Sequence, residues 1–208
     1  MNKTLIASIA VVAALAAVPA SAQMTFSYGA TLTSNYISRG ATQTNGNAAF
    51  QPWAEVESNG WYAGIWASNV RFAPDSIEVD LYGGYRWAAS EIMNVDIGYA
   101  QYFYNSTGNC CGELYVRGDL QAGTANISGG IALNISGGLA FNDAHIGIST
   151  PLYGNLSGSM NFGVTGIPTA YGNVGVSYAV NDNWSVDARY HRGANEGDRF
   201  VVSTDISF

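Results

Sequence analysis

Apolar and polar side chains alternate along most of this sequence, and residues 200–208 show the pattern in its simplest form. Phe200, Ile206 and Phe208 fall on one face of an extended chain, whereas Asp205 and Ser207 fall on the other. A β-strand has a side-chain period of two, so this segment predicts a strand with one apolar and one mostly polar face. Barrel strands in membranes and edge strands of soluble β-sandwiches both show such a pattern, so the rest of the chain has to separate them.

Segments of similar length repeat this alternation, with turn residues between them, as transmembrane barrel strands do. Residues 76–87, for example, set Ile77, Val79 and Leu81 against Glu78 and Asp80. No stretch combines a helical period with capping residues. The predicted strands cover residues 25–37, 48–58, 60–70, 76–87, 92–104, 113–122, 125–133, 144–152, 155–164, 171–180, 184–191 and 199–208.

The connections between these segments alternate between short and long. Asn59-Gly60 is a strong hairpin signal and begins the short set, whereas the longer connections cover residues 38–47, 71–75, 105–112, 134–143, 165–170 and 193–198. Short turns at one rim, longer loops at the other and an even strand number are typical of bacterial outer-membrane barrels. A soluble sandwich has no reason to alternate in this way. The sequence therefore predicts an all-β fold, a transmembrane antiparallel up-and-down β-barrel of about twelve strands.

The N-terminus has the features of a secretory signal peptide. Lys3 supplies a positive charge, an apolar run follows it, and Ala20-Ser21-Ala22 forms a small-residue cleavage site. The apolar run is too short to span a membrane comfortably. We therefore expect residues 1–22 to be removed after Ala22 and residues 23–208 to form the barrel, exported to the bacterial outer membrane of a Gram-negative cell.

Composition supports a protein with a large surface that does not face water. Charged residues make up 11% of the chain, against about 25% in ordinary soluble proteins. The formal net charge is −7 at pH 7, and Lys3 is the only lysine. This balance argues against nucleic acid or anionic lipid binding through a basic patch, so we expect no nucleic-acid partner.

Aromatic residues cluster near the predicted strand ends. Amphipathic rings prefer the interface between membrane and water, so this clustering predicts two aromatic girdles. Ordinary core packing is the alternative for any single ring. The predicted girdle residues are Tyr36, Trp53, Trp61, Tyr85, Trp87, Tyr99, Tyr104, Tyr178 and Trp184.

Several segments resemble the TorF-type porins, an uncharacterised family of proteobacterial outer-membrane proteins. They are residues 32–44 (LTSNYISRGATQT), 66–70 (WASNV), 78–85 (EVDLYGGY) and 113–115 (ELY), and the resemblance is thin from residue 120 to 170. It implies a barrel and a porin, with no established solute and no catalytic residues. Barrels of this type end on an aromatic residue, so Phe208 is expected to be part of the signal read by the barrel assembly machinery during biogenesis.

Charged residues fall on the predicted inner faces of the strands, where carboxylates outnumber arginines. Rings of charge inside a pore tune ion selectivity, but the same groups can also pair into a closed polar plug, and the sequence favours neither. Arg39, by contrast, is expected to end the first strand at the outer rim. The predicted pore-lining residues are Glu55, Glu57, Glu78, Asp80, Arg86, Asp96, Glu113, Arg117, Asp119, Asp187, Arg189 and Asp205.

Cys110 and Cys111 are adjacent, in a protein expected to enter an oxidising compartment. A structural disulfide between them in an outer loop is the favoured interpretation. A metal or redox site is disfavoured because no other His or Cys lies nearby in the sequence.

An outer-membrane hydrolase or lipid-modifying enzyme is the alternative to a channel that makes the most specific chemical claim. Such chemistry needs a nucleophile, a base and an orienting group in contact. Only His145 and His191 offer a histidine base, and the alternation places both in the lumen, away from lipid. We therefore expect no enzyme, no catalytic residue, no bound metal and no cofactor.

The function predicted from the sequence is an outer-membrane porin-like channel for small hydrophilic solutes or ions, with a preference for cations. The alternative is a non-conducting structural or adhesive barrel. Besides solutes, the expected partners are outer-membrane lipid and the barrel assembly machinery.

Overall fold

The structure, a computed structural model, describes residues 24–166, 169–193 and 196–208. The predicted signal peptide, residues 1–22, lies outside the described residues. No helix among the described residues is long and apolar enough to cross a membrane. The strands are β1 (Thr25–Thr33), β2 (Ile37–Ser38), β3 (Ala41–Thr42), β4 (Ala49–Ser58), β5 (Trp61–Phe72), β6 (Asp75–Ser90), β7 (Met93–Tyr104), β8 (Gly108–Ala122), β9 (Ala125–Asn134), β10 (Ala140–Tyr153), β11 (Leu156–Thr165), β12 (Ala170–Asn181), β13 (Trp184–Gly193) and β14 (Gly197–Ser207).

All strands except β2 and β3 form one closed barrel in which each strand pairs antiparallel with its neighbours in the sequence. The barrel closes between β1 and β14, where Thr31 lies opposite Asp205 and Thr33 opposite Ser203. Closure leaves no unpaired strand edge, which matters because an exposed edge invites pairing with other chains. The predicted fold class, an antiparallel barrel of about twelve strands, is confirmed.

The alternation of side chains sorts each strand into an outer and an inner face. In β6, Ile77 is 48% exposed and Leu81 is also 48% exposed, whereas Glu78 between them is 5% exposed. The exposed residues are mostly aliphatic or aromatic, and the buried ones include Ser68, Glu113 and other polar groups. This fold therefore has an apolar outside and a polar inside, which is the reverse of a soluble protein.

The two rims of the barrel differ. The rim that carries the first and last described residues has two-residue turns at 59–60, 91–92, 123–124, 154–155 and 182–183, and we call it the short-turn rim. At Asn59-Gly60 both residues have positive φ, 52° and 82°, as a tight hairpin turn requires. The opposite rim, which we call the loop rim, carries the connections predicted to be long. Several are shorter than predicted, because β5, β6, β8 and β10 continue into residues 71–75, 105–112 and 134–143.

The largest departure from the sequence prediction lies between β1 and β4. Residues 25–37 were predicted as one strand, but β1 ends at Thr33 and the chain then forms the β2–β3 hairpin. We call residues 36–47 the inserted hairpin, because it turns into the barrel and reaches strands on the far wall. The prediction that Arg39 ends the first strand at the outer rim is therefore wrong.

The aromatic girdle prediction holds for only part of its residues. Trp61, Tyr85 and Trp87 pack together on the outer face beside the Asn59-Gly60 turn, with ring centroids 5.0 and 5.7 Å apart, and Tyr178 and Trp184 are also exposed. Three other rings point inward: Trp53 lines an internal cavity, Tyr104 donates to Glu78, and Tyr36 belongs to the inserted hairpin. Those three side chains satisfy polar groups or fill space in the lumen instead of meeting an interface.

Candidate functional site

The inserted hairpin is tied to the far wall of the barrel through Arg39. Its guanidinium donates two parallel hydrogen bonds to Glu113, from Nη1 to Oε1 at 2.8 Å and from Nη2 to Oε2 at 2.7 Å. Its Nε lies 3.8 Å from Oδ1 of Asp143 on β10. Glu113 and Asp143 are almost fully buried, 5% and 3% exposed. A two-pronged pair of this kind fixes orientation as well as charge, so Arg39 positions the hairpin across the lumen.

The two acceptor carboxylates are themselves held in place. Tyr102 donates to Glu113 at 3.0 Å, and Asn142 also donates to it. Tyr171 donates to Asp143 at 2.7 Å, and Nδ1 of His145 lies 2.9 Å from the same carboxylate. Residues from β7, β8, β10 and β12 thus form a prepared socket for Arg39.

The hairpin has its own internal structure and does not rely on Arg39 alone. The hydroxyl of Thr42 donates to Oδ1 of Asn35 at 2.6 Å, and the hydroxyl of Thr44 accepts from the backbone N–H of Tyr36 at 3.1 Å. Thr44 has no exposed surface. Gly40, with φ of +80°, lies so close to Tyr171 that a β-carbon would overlap it. The segment therefore enters the barrel as a compact unit.

An internal cavity of about 340 Å³ lies against the β4–β8 wall, and we call it the aromatic cavity. Tyr36 of the inserted hairpin packs edge-on against Trp66 of its lining, with ring centroids 5.5 Å apart. The cavity is lined by Trp53, Glu55, Tyr62, Trp66, Asp80, Tyr82, Arg86, Asp96, Ala100, Tyr102, Tyr115 and Arg117.

Arginines and tyrosines interleave along this wall. Arg86 lies over the Tyr62 ring at 3.9 Å and binds Glu55 at 2.9 Å, with Glu57 at 3.3 Å. The Tyr62 hydroxyl donates to Asp96 at 2.6 Å and lies 2.7 Å from the Tyr115 hydroxyl. The chain bears glycine at position 98, where a β-carbon would overlap both tyrosine hydroxyls. This wall is therefore filled by large side chains, with Arg117 over the ring of Tyr115 at 4.1 Å.

The opposite wall, formed by β9–β12, carries mostly small polar side chains. A second cavity of about 280 Å³ lies there, and its lining includes Ser128, Ser149, Ser159, Asn161 and Asn173. Arg189 of β13 borders it and is held at 2.8 Å by Asp187, at 2.7 Å by Asn173 and at 2.9 Å by Ser159. The lumen is thus asymmetric in the side chains that line it, which are large along β4–β8 and mostly small and polar along β9–β12.

The remaining predicted site residues lie elsewhere on the inner faces. Glu78 accepts a hydrogen bond from Tyr104 at 3.0 Å, Asp205 accepts one from Thr31, and Asp119 lies in β8 towards the short-turn rim. The sequence did not single out Asp143, although it lies on β10 two residues before His145. Its participation could be found only by knowing that residues 36–47 turn inward.

Cys110 and Cys111 are joined by a disulfide near the loop-rim end of β8. The pairing of β7 with β8 shifts register at this place, where Tyr102 faces Cys111 and Phe103 faces Asn109. Cys110 is thus the extra residue of a β-bulge. No group of three or more potential metal-ligating side chains occurs among residues 24–166, 169–193 and 196–208.

Comparisons with known proteins agree with this architecture. The model of a bacterial protein family of unknown function, Gcw_chp, matches residues 16–196, and no curated protein matches the sequence. The TorF-type resemblance stays a prediction, because the matching family is described differently. Many solved structures share the fold, and two porins and a phospholipase are among them.

The KdgM porin, in complex with disordered oligogalacturonate, superposes with a TM-score of 0.66 at 12% identity, covering 88% of this chain and 98% of that one. The NanC porin gives 0.57 at 10%, covering 88% and 99%. Outer membrane phospholipase A from Escherichia coli gives 0.54 at 12%, covering 91% and 93%. At such identities the likeness shows the fold alone.

Proposed function

Because this chain belongs to the Gcw_chp family of bacterial proteins, whose function is unknown, we propose its function from the barrel itself: an outer-membrane, porin-like channel for small hydrophilic solutes. The observation that carries the proposal is the asymmetric polar lumen inside an apolar shell. A barrel whose interior were only a packed core would fill both walls with large side chains, but here β9–β12 carry serine, asparagine and glycine.

The outer surface supports a place in the outer membrane. Exposed aliphatic and aromatic side chains cover β5, β6, β8, β10, β11 and β12, as in Ile65, Leu81, Val116, Ile148 and Met160. An apolar band of this kind, flanked by aromatic rings, suits a bilayer and not water. We place the short-turn rim in the periplasm and the loop rim outside the cell, as in bacterial barrels generally.

The proposed path follows the β9–β12 wall past the inserted hairpin. The β4–β8 side chains narrow the lumen from one side, and the inserted hairpin, which contacts β8, β10 and β12, narrows it further, so the passage is small. Such a constriction excludes large solutes and admits ions and small hydrophilic molecules. The disulfide of Cys110 and Cys111 lies near the loop rim.

The charges of the lumen favour cations. Arg39, Arg86 and Arg189 are each paired with carboxylates, whereas further carboxylates such as Asp80 and Asp205 have no arginine partner among the described residues. A low-dielectric wall focuses the field of such groups and enriches counter-ions. Oligogalacturonate, present in one KdgM structure, carries repeated carboxylates. We therefore expect a different solute here, neutral or cationic.

A barrel closed by the inserted hairpin is the second candidate, and one observation favours it. Arg39 is bound by two nearly buried carboxylates, so the hairpin is firmly seated across the lumen. Lipid hydrolysis is disfavoured by position, because His145 faces inward and binds Asp143, away from the apolar outer face.

Single-channel recording in planar bilayers separates the two candidates. We expect the folded wild-type protein to conduct and to give a cation-selective reversal potential in a KCl gradient. Neutralising Glu78, Asp80 and Asp96 together should move that potential towards anions, whereas Asp182→Asn in the short turn between β12 and β13 should not. The preference should weaken at 1 M salt, where the screening length falls to about 3 Å.

If protein shown to be folded gives no conductance above the lipid baseline, the channel proposal is wrong. If a variant with residues 37–42 replaced by glycine and serine then conducts, the wild-type barrel is closed by its hairpin.

A further inference from the structure

We propose that the aromatic cavity against β4–β8 is a binding site for a small organic cation, a primary or quaternary ammonium compound. The proposal goes beyond conduction, because a site of this kind binds its ligand whether or not the barrel passes ions. It stands on three features of the cavity: its rings, its balance of charge and its size.

Six of the twelve residues that line the cavity are aromatic, and the faces of aromatic rings attract positive charge. Two of them already do so in this structure, since Arg86 lies 3.9 Å from the centroid of Tyr62 and Arg117 lies 4.1 Å from that of Tyr115. A ring face attracts an alkylammonium through the same quadrupole, and tryptophan is the strongest of the three ring types. The rings that line the cavity are Trp53, Tyr62, Trp66, Tyr82, Tyr102 and Tyr115.

The charges lining the cavity do not balance. Glu55 is bound by Arg86, and Asp96 accepts the Tyr62 hydroxyl. Asp80 differs, because its Oδ1 is buried and accepts no hydrogen bond from any residue that the structure describes. A buried carboxylate oxygen without a partner is costly, and a cation in the cavity beside Asp80 would offset the charge of that carboxylate. The carboxylates of Glu55, Asp80 and Asp96 exceed the guanidiniums of Arg86 and Arg117 by one, so the site accommodates one positive charge.

Size and shape favour an organic cation over a bare metal ion. The cavity holds about 340 Å³, within the range of small-molecule sites and larger than a single ion requires. Metal ions of the alkali and alkaline-earth groups prefer several oxygen ligands, whereas this lining offers ring faces with one unpaired carboxylate. Trp66 is also in edge-on contact with Tyr36 of the inserted hairpin.

The test is titration of the folded barrel in detergent with choline, followed by tryptophan fluorescence and calorimetry. The matched control ligand is 3,3-dimethylbutan-1-ol, which has the shape of choline without its charge. We expect saturable binding of choline and none of the neutral alcohol in the same concentration range. Equal binding of the two ligands, or displacement of choline by KCl at equal concentration, would overturn the proposal.

Variants locate the site. Asp80→Asn should weaken choline binding by about tenfold or more, and Trp66→Leu should weaken it as well. Asp119→Asn is the control, because Asp119 lies on β8 towards the short-turn rim and does not line the cavity. Unchanged affinity in Asp80→Asn would place the choline elsewhere. Choline binding by a barrel that does not conduct would support the cation site and contradict the channel. The two proposals can therefore fail independently.

Discussion

Replacing Arg39 with alanine should release the inserted hairpin from the far wall of the barrel while leaving the sheet intact. None of the paired strands of the barrel contains Arg39, so no ladder hydrogen bond is lost. What disappears is the two-pronged pair with Glu113 and the approach of Nε to Asp143 at 3.8 Å. The hairpin then keeps its internal hydrogen bonds, the backbone hydrogen bond that Arg71 donates to Gln43, and its contacts with Trp66 and Tyr171.

The size of the effect follows from burial. Removing one partner of a fully buried ion pair costs about 3–5 kcal/mol, because the other charge is left uncompensated. Arg39 is 31% exposed on its side chain, and Glu113 retains Tyr102 and Asn142 as donors. We therefore take about 2 kcal/mol as the free energy that Arg39→Ala removes from docking of the hairpin. This loss raises the undocked population of the hairpin by about 30-fold.

Single-channel recording measures the change as longer or more frequent visits to a higher conductance, and limited proteolysis measures it as faster cleavage within residues 36–47. The matched control is Arg192→Ala, since Arg192 is 75% exposed and lies 3.9 Å from Asp198 at the loop rim. If Arg39→Ala and Arg192→Ala both behave as wild type in both assays, the Arg39 pair does not hold the hairpin. Glu113→Gln should reproduce the Arg39→Ala phenotype, and the double variant should add little to either.

Three further predictions test the shell of the barrel. Ile148→Arg should destabilise the folded barrel in lipid by about 2–4 kcal/mol and so lower its folded yield. Ser149→Arg, at the next residue but on the inner face, should not. Equal loss of yield in the two variants would contradict the assigned faces. After mild reduction, a membrane-impermeant thiol reagent should label Cys110 and Cys111 on intact cells, and labelling only after rupture of the outer membrane would reverse the proposed orientation. Phe208→Ala removes a ring contact with Tyr28 at 5.4 Å but keeps both backbone hydrogen bonds, so refolding in detergent should lose only about 0.5–1.5 kcal/mol while assembly in cells falls more strongly. Equal losses in both settings would assign Phe208 a purely structural role.

The strands were predictable because each depends on local alternation. The two faces of β6 are specified by the alternation of Ile77, Val79 and Leu81 with Glu78 and Asp80. A shift of the strand register by one residue would move every side chain to the opposite face. Turn chemistry fixed the pairing at Asn59-Gly60. The predicted boundaries failed mainly at the loop rim, where polar residues continue a strand beyond the apolar outer band. There the side chains no longer alternate between apolar and polar, so the pattern does not indicate a strand.

The inserted hairpin was not predictable for the same reason. Its position depends on Arg39 meeting Glu113, seventy-four residues further on, and Asp143, which the inner-face pattern did not single out. Residues 34–47 have the glycine, serine and asparagine content of any surface loop. Trp53, Tyr104 and Tyr36 were misassigned to the girdles for a related reason, because proximity to a strand end does not tell an inward ring from an outward one.

A barrel of twelve strands is wider than the eight-stranded barrels whose side chains just fill the interior, and here a loop also occupies part of the lumen. The strands are held by the ladder and by the apolar outer face, whereas the hairpin is held across the lumen mainly by the charge-assisted hydrogen bonds of Arg39. Width and stability are therefore set by different residues. Substitutions at Arg39 or Glu113 should alter conductance by loosening the hairpin while the sheet stays folded, whereas substitutions such as Ile148→Arg should destabilise the sheet itself.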